Sequence, residues 1–193
     1  MAAGSGWLAL GTVTVLRSFA NLTPQPWANG AGTTTEVVSF EDSASFSPAG
    51  TAPWRLSVAS LEREGDFSPL PGAQRVFTPV GSSLELTVNG VAHEVADGSS
   101  LEFSGDDVVR LTRLDRPCHA VNLMARVDAG GHVPKIRFVG APGQGADAGP
   151  DALAVLALGD QHGYEKFDLI DTSGRQDSRM DLSSAGFGVV TLA

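Results

Sequence analysis

Short runs in which apolar and polar residues alternate recur along the chain, and this pattern predicts an antiparallel β protein. The clearest run is Leu84–Val88, which Asn89-Gly90 separates from a second run at residues 91–96. An Asn-Gly pair readily adopts the two positive φ angles of a type I′ turn, so these runs predict a β-hairpin. The other predicted strands span residues 13–17, 33–40, 54–61, 99–103, 108–114, 119–127, 136–139, 152–158, 167–171 and 188–192. Residues 64–75 contain two glycines and two prolines and are predicted to form an ordered loop.

The composition is that of a turn-rich globular chain. Glycine (23) and proline (11) are frequent among the 193 residues, and the hydrophobic fraction of 42% is enough to bury a core. The 22 acidic residues outnumber the 13 basic ones, and this net charge of −9 argues against nucleic acid as a partner. The chain has no run of 18 apolar residues, so we expect no membrane-spanning segment. Its single cysteine, Cys118, excludes an internal disulfide and favours a cytoplasmic location.

Three motifs that carry chemistry in other proteins are incomplete here. Cys118 and His119 resemble a nucleophile beside a base, but adjacent strand residues point to opposite faces, so we expect an inert buried cysteine. The histidines, at positions 93, 119, 132 and 162, contain no H-x-H pair. We therefore expect no bound metal, although two histidines and a carboxylate from separate strands are an alternative. The glycines of residues 143–148 are not followed by room for a helix, so we expect no dinucleotide cofactor.

The predicted strand at residues 33–40 carries a carboxylate in apolar surroundings. The two-residue period of a strand would place Thr34, Glu36, Val38 and Phe40 on one face. A carboxylate on such a face is expected either at the mouth of a pocket or in an ion pair. Glu36 and Thr34 are therefore candidate ligand-binding residues.

The predicted strand at residues 54–61 presents a guanidinium group among small residues. Arg55 shares a face with Ser57 and Ala59, which leaves space in front of its side chain. An arginine offers a rigid fork that binds carboxylates in a bidentate manner. The alternative is an Arg–Glu pair that holds strands together. Arg75, at the end of the predicted loop, has the same two interpretations.

Two asparagines complete the candidate site. Asn122 lies between apolar neighbours in a predicted strand, where a buried amide needs hydrogen-bond partners. Asn29 lies in a glycine-rich loop whose backbone N–H groups can approach a ligand closely. The alternative for Asn122 is a structural role in fixing a loop or the backbone.

Five ordered motifs occur in the first two thirds of the chain: residues 26–36 (PWANGAGTTTE), 54–59 (WRLSVA), 65–75 (GDFSPLPGAQR), 103–106 (FSGD) and 122–126 (NLMAR). They resemble the motifs of the HutD (histidine-utilisation) family, which includes the Ves proteins. The resemblance covers about residues 13–127, and the last third matches loosely. The chain departs from the family pattern at Ala31, Thr35 and Ala120, where the family often has a glycine, an arginine and an acidic residue. The last two departures remove polar groups near the expected site.

The resemblance implies an all-β bicupin, in which two antiparallel, jelly-roll-like β-barrels pack together in one chain. It implies an N-terminal cupin-like barrel at residues 13–127. A smaller cupin-like half would follow at residues 128–193 and share strands with the first. Members of the family lack the usual cupin metal ligands and have no established enzymatic activity. The resemblance links the chain to bacterial histidine catabolism and to binding of an intermediate such as urocanate or a formyl- or formiminoglutamate.

We therefore predict a cytoplasmic binder of a small anionic metabolite that regulates or buffers metabolic flux. The expected partner is a small-molecule carboxylate, and a homodimer is left open. No catalytic residue, metal ligand or cofactor is predicted. The predicted ligand-binding residues are Asn29, Thr34, Glu36, Arg55, Ser57, Arg75 and Asn122. One alternative is a cupin enzyme, an isomerase or hydrolase, that uses Glu36 as acid–base and Arg55 as anion clamp. Another is an interaction module with no small ligand.

Overall fold

The regular structure of the chain consists of β-strands and short 3-10 segments. The computed structural model describes residues 14–139, 151–161, 163–171 and 186–192. Its strands are β1 Thr14–Arg17, β2 Gln25–Pro26, β3 Gly32–Val38, β4 Trp54–Leu61, β5 Gly65–Asp66, β6 Ala73–Val80, β7 Leu84–Val88, β8 Val91–Val95, β9 Leu101–Ser104, β10 Val109–Leu114, β11 Cys118–Arg126, β12 Pro134–Val139, β13 Ala152–Ala157, β14 Leu169–Asp171 and β15 Phe187–Leu192. The 3-10 segments are Phe19–Asn21, Asp42–Phe46 and Val127–Ala129. The described ranges contain no α-helix, hence none that could cross a membrane, and the all-β prediction is confirmed.

The strands form three antiparallel sheets. The six-stranded sheet has the order β2-β3-β4-β11-β6-β9, the four-stranded sheet β5-β10-β7-β8, and the five-stranded sheet β1-β14-β13-β15-β12. In the six-stranded sheet, β11 pairs with β4 on one side and with β6 on the other. This sheet therefore joins residues that are far apart in the sequence, and a site on its face is built from separate segments.

The six-stranded sheet is the middle layer of the molecule. One of its faces packs against the five-stranded sheet in a core that includes Leu56, Val58, Val121, Leu123, Ala154, Leu156, Leu169 and Val190. The other face packs against the four-stranded sheet in a core that includes Ala59, Phe77, Ala120, Leu84, Leu86, Val109 and Leu111. Side chains alternate between these two cores along each strand, as the two-residue period requires. A polar residue on the second face therefore lies on the side of the sheet that meets the four-stranded sheet.

The hairpin predicted from the Asn-Gly pair is present between β7 and β8. Asn89 has a φ of +50° and Gly90 a φ of +82°, and Val88 pairs directly with Val91. These are the two positive angles of the tight turn that the sequence predicted.

Strand β6 is the largest element that the sequence patterns missed. Pro79 lies within it, and a proline argues against an inner strand because it lacks the N–H that the ladder needs. The carbonyl of Pro79 accepts a hydrogen bond from the Gly98 N–H. The N–H and the carbonyl of one strand residue point to the same side, so the N–H that proline lacks would have pointed towards Gly98. On that side the pairing of β6 with β9 ends at Phe77. The proline is tolerated because its position no longer belongs to the β6–β9 ladder.

The five-stranded sheet takes strands from both predicted halves of the chain. β1 pairs with β14, so the first described strand belongs to the five-stranded sheet, which otherwise uses residues after 133. In the described ranges the three sheets are separate ladders, and the structure shows no closed barrel. The domain limits at 127 and 128 and the two-barrel arrangement therefore stay predictions.

Candidate functional site

Two rows of residues across the six-stranded sheet bring the predicted polar side chains together. In one row, Glu36 of β3 lies opposite Ser57 of β4, and Ser57 lies opposite Asn122 of β11. In the next row, Met124 of β11 lies between an arginine on each side, Arg55 of β4 and Arg75 of β6.

Both rows lie on the face of the sheet that meets the four-stranded sheet. Arg55 and Ser57 are two residues apart on β4, as are Asn122 and Met124 on β11, and residues two apart share a face. Their neighbours Ala59 and Ala120 belong to the core between these two sheets. We call Glu36, Arg55, Ser57, Arg75 and Asn122 the polar cluster.

A β-bulge sets the position of Glu36 and corrects one prediction. The pairing of β3 with β4 shifts between Glu36 and Val38, so that Val38 lies opposite Leu56. Val37 and Val38 are both buried in the core against the five-stranded sheet. The prediction that Glu36 and Val38 share a face is therefore wrong, because the extra residue of a bulge breaks the two-residue period. Glu36 faces the polar cluster, and the apolar residues after it face the other core.

Glu36 and Arg55 form an ion pair at the more open end of the polar cluster. Nε of Arg55 is in ion-pair contact with Oε2 of Glu36, and their side chains are 25% and 43% exposed, respectively. The interpretation of an Arg–Glu pair between neighbouring strands therefore holds for Arg55. An ion pair with this exposure contributes little to stability because solvent screens it.

Arg75 is the buried positive charge of the polar cluster. The residue is 8% exposed, and its Nη1 donates a hydrogen bond of 3.2 Å to the carbonyl of Ser68. Its guanidinium carbon lies 5.4 Å from the ring centre of Phe67 and 5.1 Å from that of Phe103. Burial and, to a lesser extent, the like charge of Arg55 lower the pKa of Arg75 to about 10. No ion pair joins Arg75 to a carboxylate in the described ranges.

Four buried polar atoms of the cluster make no hydrogen bond within the part of the chain that the structure describes. They are Nε of Arg55, Oγ of Ser57, Nε of Arg75 and Oδ1 of Asn122. The contact of Arg55 with Glu36 has the distance of an ion pair without the geometry of a hydrogen bond. Buried polar groups are normally paired, so a group of unpaired ones on one face calls for an explanation. Together they offer two N–H donors, one amide acceptor and one hydroxyl that can do either.

Asn29 and Thr34 already have partners within the protein. The Asn29 side chain accepts a hydrogen bond from the Ala31 N–H (2.9 Å) and donates one to the Asp66 carbonyl (3.3 Å). The Thr34 hydroxyl accepts a hydrogen bond from the indole N–H of Trp27 at 2.7 Å. These bonds fix the loop before β3 against its surroundings. Ligand contacts by Asn29 and Thr34 stay predictions.

The enclosure of Arg75 has no signal in the sequence patterns. They predict Arg75 at the end of a loop, whereas the residue is the third of β6. Phe67 and Ser68 come from the segment before this strand, and Phe103 lies opposite Arg75 on β9. The motif at residues 103–106 contains part of this arrangement, but no residue period shows which side chains meet.

Gly105 anchors the segment that covers Arg75. Its carbonyl accepts a hydrogen bond of 2.8 Å from the Leu70 N–H, and its own N–H donates one of 2.7 Å to the Ala73 carbonyl. A Cβ atom at position 105 would overlap the Leu70 carbonyl oxygen, so a glycine is required there. The motif around Gly105 thus fixes the segment that covers Arg75.

Cys118 and His119 point to opposite faces of β11 and form no dyad. Cys118 lies in the core against the four-stranded sheet, where burial raises the pKa of its thiol. The His119 ring lies 5.0 Å from the Phe167 ring. Burial and the charge of Lys166 lower the pKa of His119. The described residues contain no group of three potential metal ligands, and His162 lies outside them. The absence of a bound metal stays a prediction.

Comparison with known proteins places the chain in a family. The HutD family profile matches residues 19–166. Protein Ves of Citrobacter koseri is 35% identical over 107 residues, which are 53% of this chain and 52% of that protein. An uncharacterized 21.2 kDa protein in the hutC 3′ region of Pseudomonas putida is 33% identical over 103 residues, which are 51% of each. The chain therefore spans about half the length of the curated relatives it matches.

Solved structures share the fold over most of the chain. The structure of HutD from Pseudomonas fluorescens matches with a TM-score of 0.63 and 23% identity, over 94% of this chain and 99% of that one. A conserved protein of unknown function from Pseudomonas aeruginosa matches with a TM-score of 0.62 and 21% identity, over 93% and 92% of the two chains. The extent of the family match shows that this chain belongs to the HutD family.

Proposed function

We propose that this HutD-family chain binds a small carboxylate metabolite through the polar cluster and acts as a binding protein in histidine utilisation. The observation that carries the proposal is Arg75, a buried guanidinium group with an unpaired Nε and no carboxylate partner in the described ranges. A buried charge is costly unless it is paired, and a carboxylate ligand would supply the missing partner. The proposal includes the finer features expected from the sequence, namely two cupin-like barrels and a regulatory or flux-buffering role.

The ligand chemistry follows from the atoms that the cluster leaves unpaired. Nε of Arg75 can donate to a carboxylate oxygen, and charged hydrogen bonds of this kind are the stronger ones. Nε of Arg55 already contacts Glu36. Oδ1 of Asn122 accepts only, so it suits an N–H or O–H group of the same ligand. Urocanate and the formyl- and formiminoglutamates each combine a carboxylate with such a donor.

The link to histidine utilisation rests on names of related proteins. The family name is HutD, and the relative from Pseudomonas putida is described by its place in the hutC 3′ region. The matched region spans about half the length of the curated relatives. The proposal therefore takes only the pathway from these names, and takes no partner or activity from them.

The test is a binding titration that compares the wild-type protein with Arg75→Met. Purified protein is titrated by calorimetry with urocanate, N-formylglutamate and formiminoglutamate in turn. A charged hydrogen bond contributes about 1.5–3 kcal/mol, so we expect affinity for the bound compound to fall by roughly 10- to 100-fold in Arg75→Met. Arg113→Met is the matched control, because Arg113 lies on β10 of the four-stranded sheet and pairs there with the half-buried Glu85 and the exposed Glu94. No binding of any of the three compounds by the wild-type protein, or equal affinities in both variants, would contradict the proposal.

A further inference from the structure

The charges of the polar cluster do not balance. It holds two guanidinium groups, Arg55 and Arg75, and one carboxylate, Glu36, which is paired with Arg55. The charged group that acts on Arg75 is the like charge of Arg55. The cluster therefore carries an excess of one positive charge, and that excess lies at the buried arginine.

The sheet register keeps the two arginines apart. Arg55 and Arg75 lie on β4 and β6, with Met124 of β11 between them. Neighbouring strands are about 4.8 Å apart, so the two backbone positions are separated by roughly 10 Å. A carboxylate bound at Arg75 is therefore not automatically bound at Arg55. A second carboxylate at Arg55 would have to enter the space beside Glu36 and would meet its negative charge.

We propose that Glu36 is a specificity-determining residue that restricts the polar cluster to ligands with a single carboxylate. This inference rests on the proposed function, because it assumes that the carboxylate binds at Arg75. The rest of the ligand would then lie towards Ser57 and Asn122, whose unpaired buried atoms are neutral. A dicarboxylate would bind less tightly, since its second charge is repelled by Glu36 and finds Arg55 already paired.

The test uses butyrate and succinate, which have the same number of carbon atoms and differ in one carboxylate. The Nε–H signal of Arg75 is followed by NMR while each acid is titrated at constant ionic strength and neutral pH. The ratio of the two dissociation constants is measured for the wild-type protein and for Glu36→Gln. Glu36→Asp keeps the charge, and Glu41→Gln removes one charge at an exposed position outside the polar cluster.

We expect the wild-type protein to bind butyrate more tightly than succinate. Glu36→Gln should shift the ratio roughly tenfold towards succinate, which is the effect of a charge interaction of about 1.4 kcal/mol. Glu36→Asp and Glu41→Gln should leave the ratio near that of the wild-type protein. If both acids bind and the ratio is the same in all four proteins, or if the wild-type protein prefers succinate, the specificity role of Glu36 is wrong and the proposed function stands. If neither acid shifts the Arg75 signal while a pathway compound does bind the wild-type protein, the carboxylate does not bind at Arg75 and the specificity role of Glu36 is wrong. If none of the pathway compounds binds either, the proposed function is wrong as well.

Discussion

Replacing Arg75 by methionine should weaken ligand binding while leaving the stability of the protein nearly unchanged. Most substitutions at buried positions lower stability, and large losses come from cavities or unpaired polar groups. Arg75 differs because the wild-type side chain already has an unpaired atom, Nε, and no carboxylate partner in the described ranges. Methionine keeps an unbranched side chain between the rings of Phe67 and Phe103, where sulfur–aromatic contacts are favourable.

The expected magnitude follows from the pKa of Arg75 and its contacts. Burial and, to a lesser extent, the charge of Arg55 lower this pKa to about 10, and at about 1.4 kcal/mol for each tenfold change in proton affinity the charged form is disfavoured by a few kcal/mol. Arg75→Met removes this cost. It also removes a charged hydrogen bond to the Ser68 carbonyl, of about 1.5–3 kcal/mol, and two cation–π contacts of about 0.5–1 kcal/mol each. These opposing contributions nearly cancel, so we expect a net change within about 1–2 kcal/mol.

The free energy of unfolding is measured by urea denaturation, with the slope m compared between variants to check that the native state is equally compact. Leu123→Ala is the matched control, because Leu123 is buried on the opposite face of β11. It should lose about 2–5 kcal/mol of stability and retain ligand affinity when measured below its unfolding transition. A loss of more than about 3 kcal/mol in Arg75→Met would refute the reasoning. Such a loss would mean that the arginine is held by structural interactions and is not reserved for a ligand.

Three further outcomes can be checked. In Gly105→Ala, the new Cβ atom should overlap the Leu70 carbonyl and displace the segment that covers Arg75. Both the urea midpoint and the ligand affinity should fall. A folded variant with unchanged affinity would contradict this. Burial and Lys166 lower the pKa of His119, so the unfolded state binds that proton more tightly and stability should fall as pH drops below about 6.5. His119→Gln should flatten this dependence in urea titrations at several pH values, and an unaltered slope would exclude His119 as the cause. Burial raises the pKa of the Cys118 thiol, so a thiol reagent should react only after unfolding, and rapid reaction of the folded protein would count against its burial.

The sequence predicts those parts of the site that depend on a strict two-residue period. Strand β4 was predicted with the observed bounds, and the alternation along it correctly placed Arg55 and Ser57 on one face. For β3 the same rule failed after Glu36, because a bulge is a local change of pairing that depends on the partner strand. Composition predicts a strand, but it does not predict where the pairing with the neighbouring strand shifts by one residue.

The enclosure of Arg75 was not predictable because it depends on long-range pairing. Strand β6 contains Pro79 and was not predicted. Without that strand, Arg75 could not be placed beside Met124. The rings that cover Arg75 come from residues 67 and 103, on separate segments, and they meet only through the sheet register. Sequence patterns identify candidate polar residues, whereas their burial and pairing follow from contacts between distant segments.

The polar cluster contains a feature that fold stability alone does not favour. A buried guanidinium group without a carboxylate partner in the described ranges is costly, and an apolar residue at position 75 would fill the same space without that cost. The Glu36–Arg55 pair is too exposed to offset the cost of burying Arg75. A ligand carboxylate would offset this cost, and the single excess positive charge matches one carboxylate. On this argument a monocarboxylate such as urocanate fits the polar cluster better than a glutamate derivative with two carboxylates, and the butyrate and succinate titration separates the two classes without assuming either ligand.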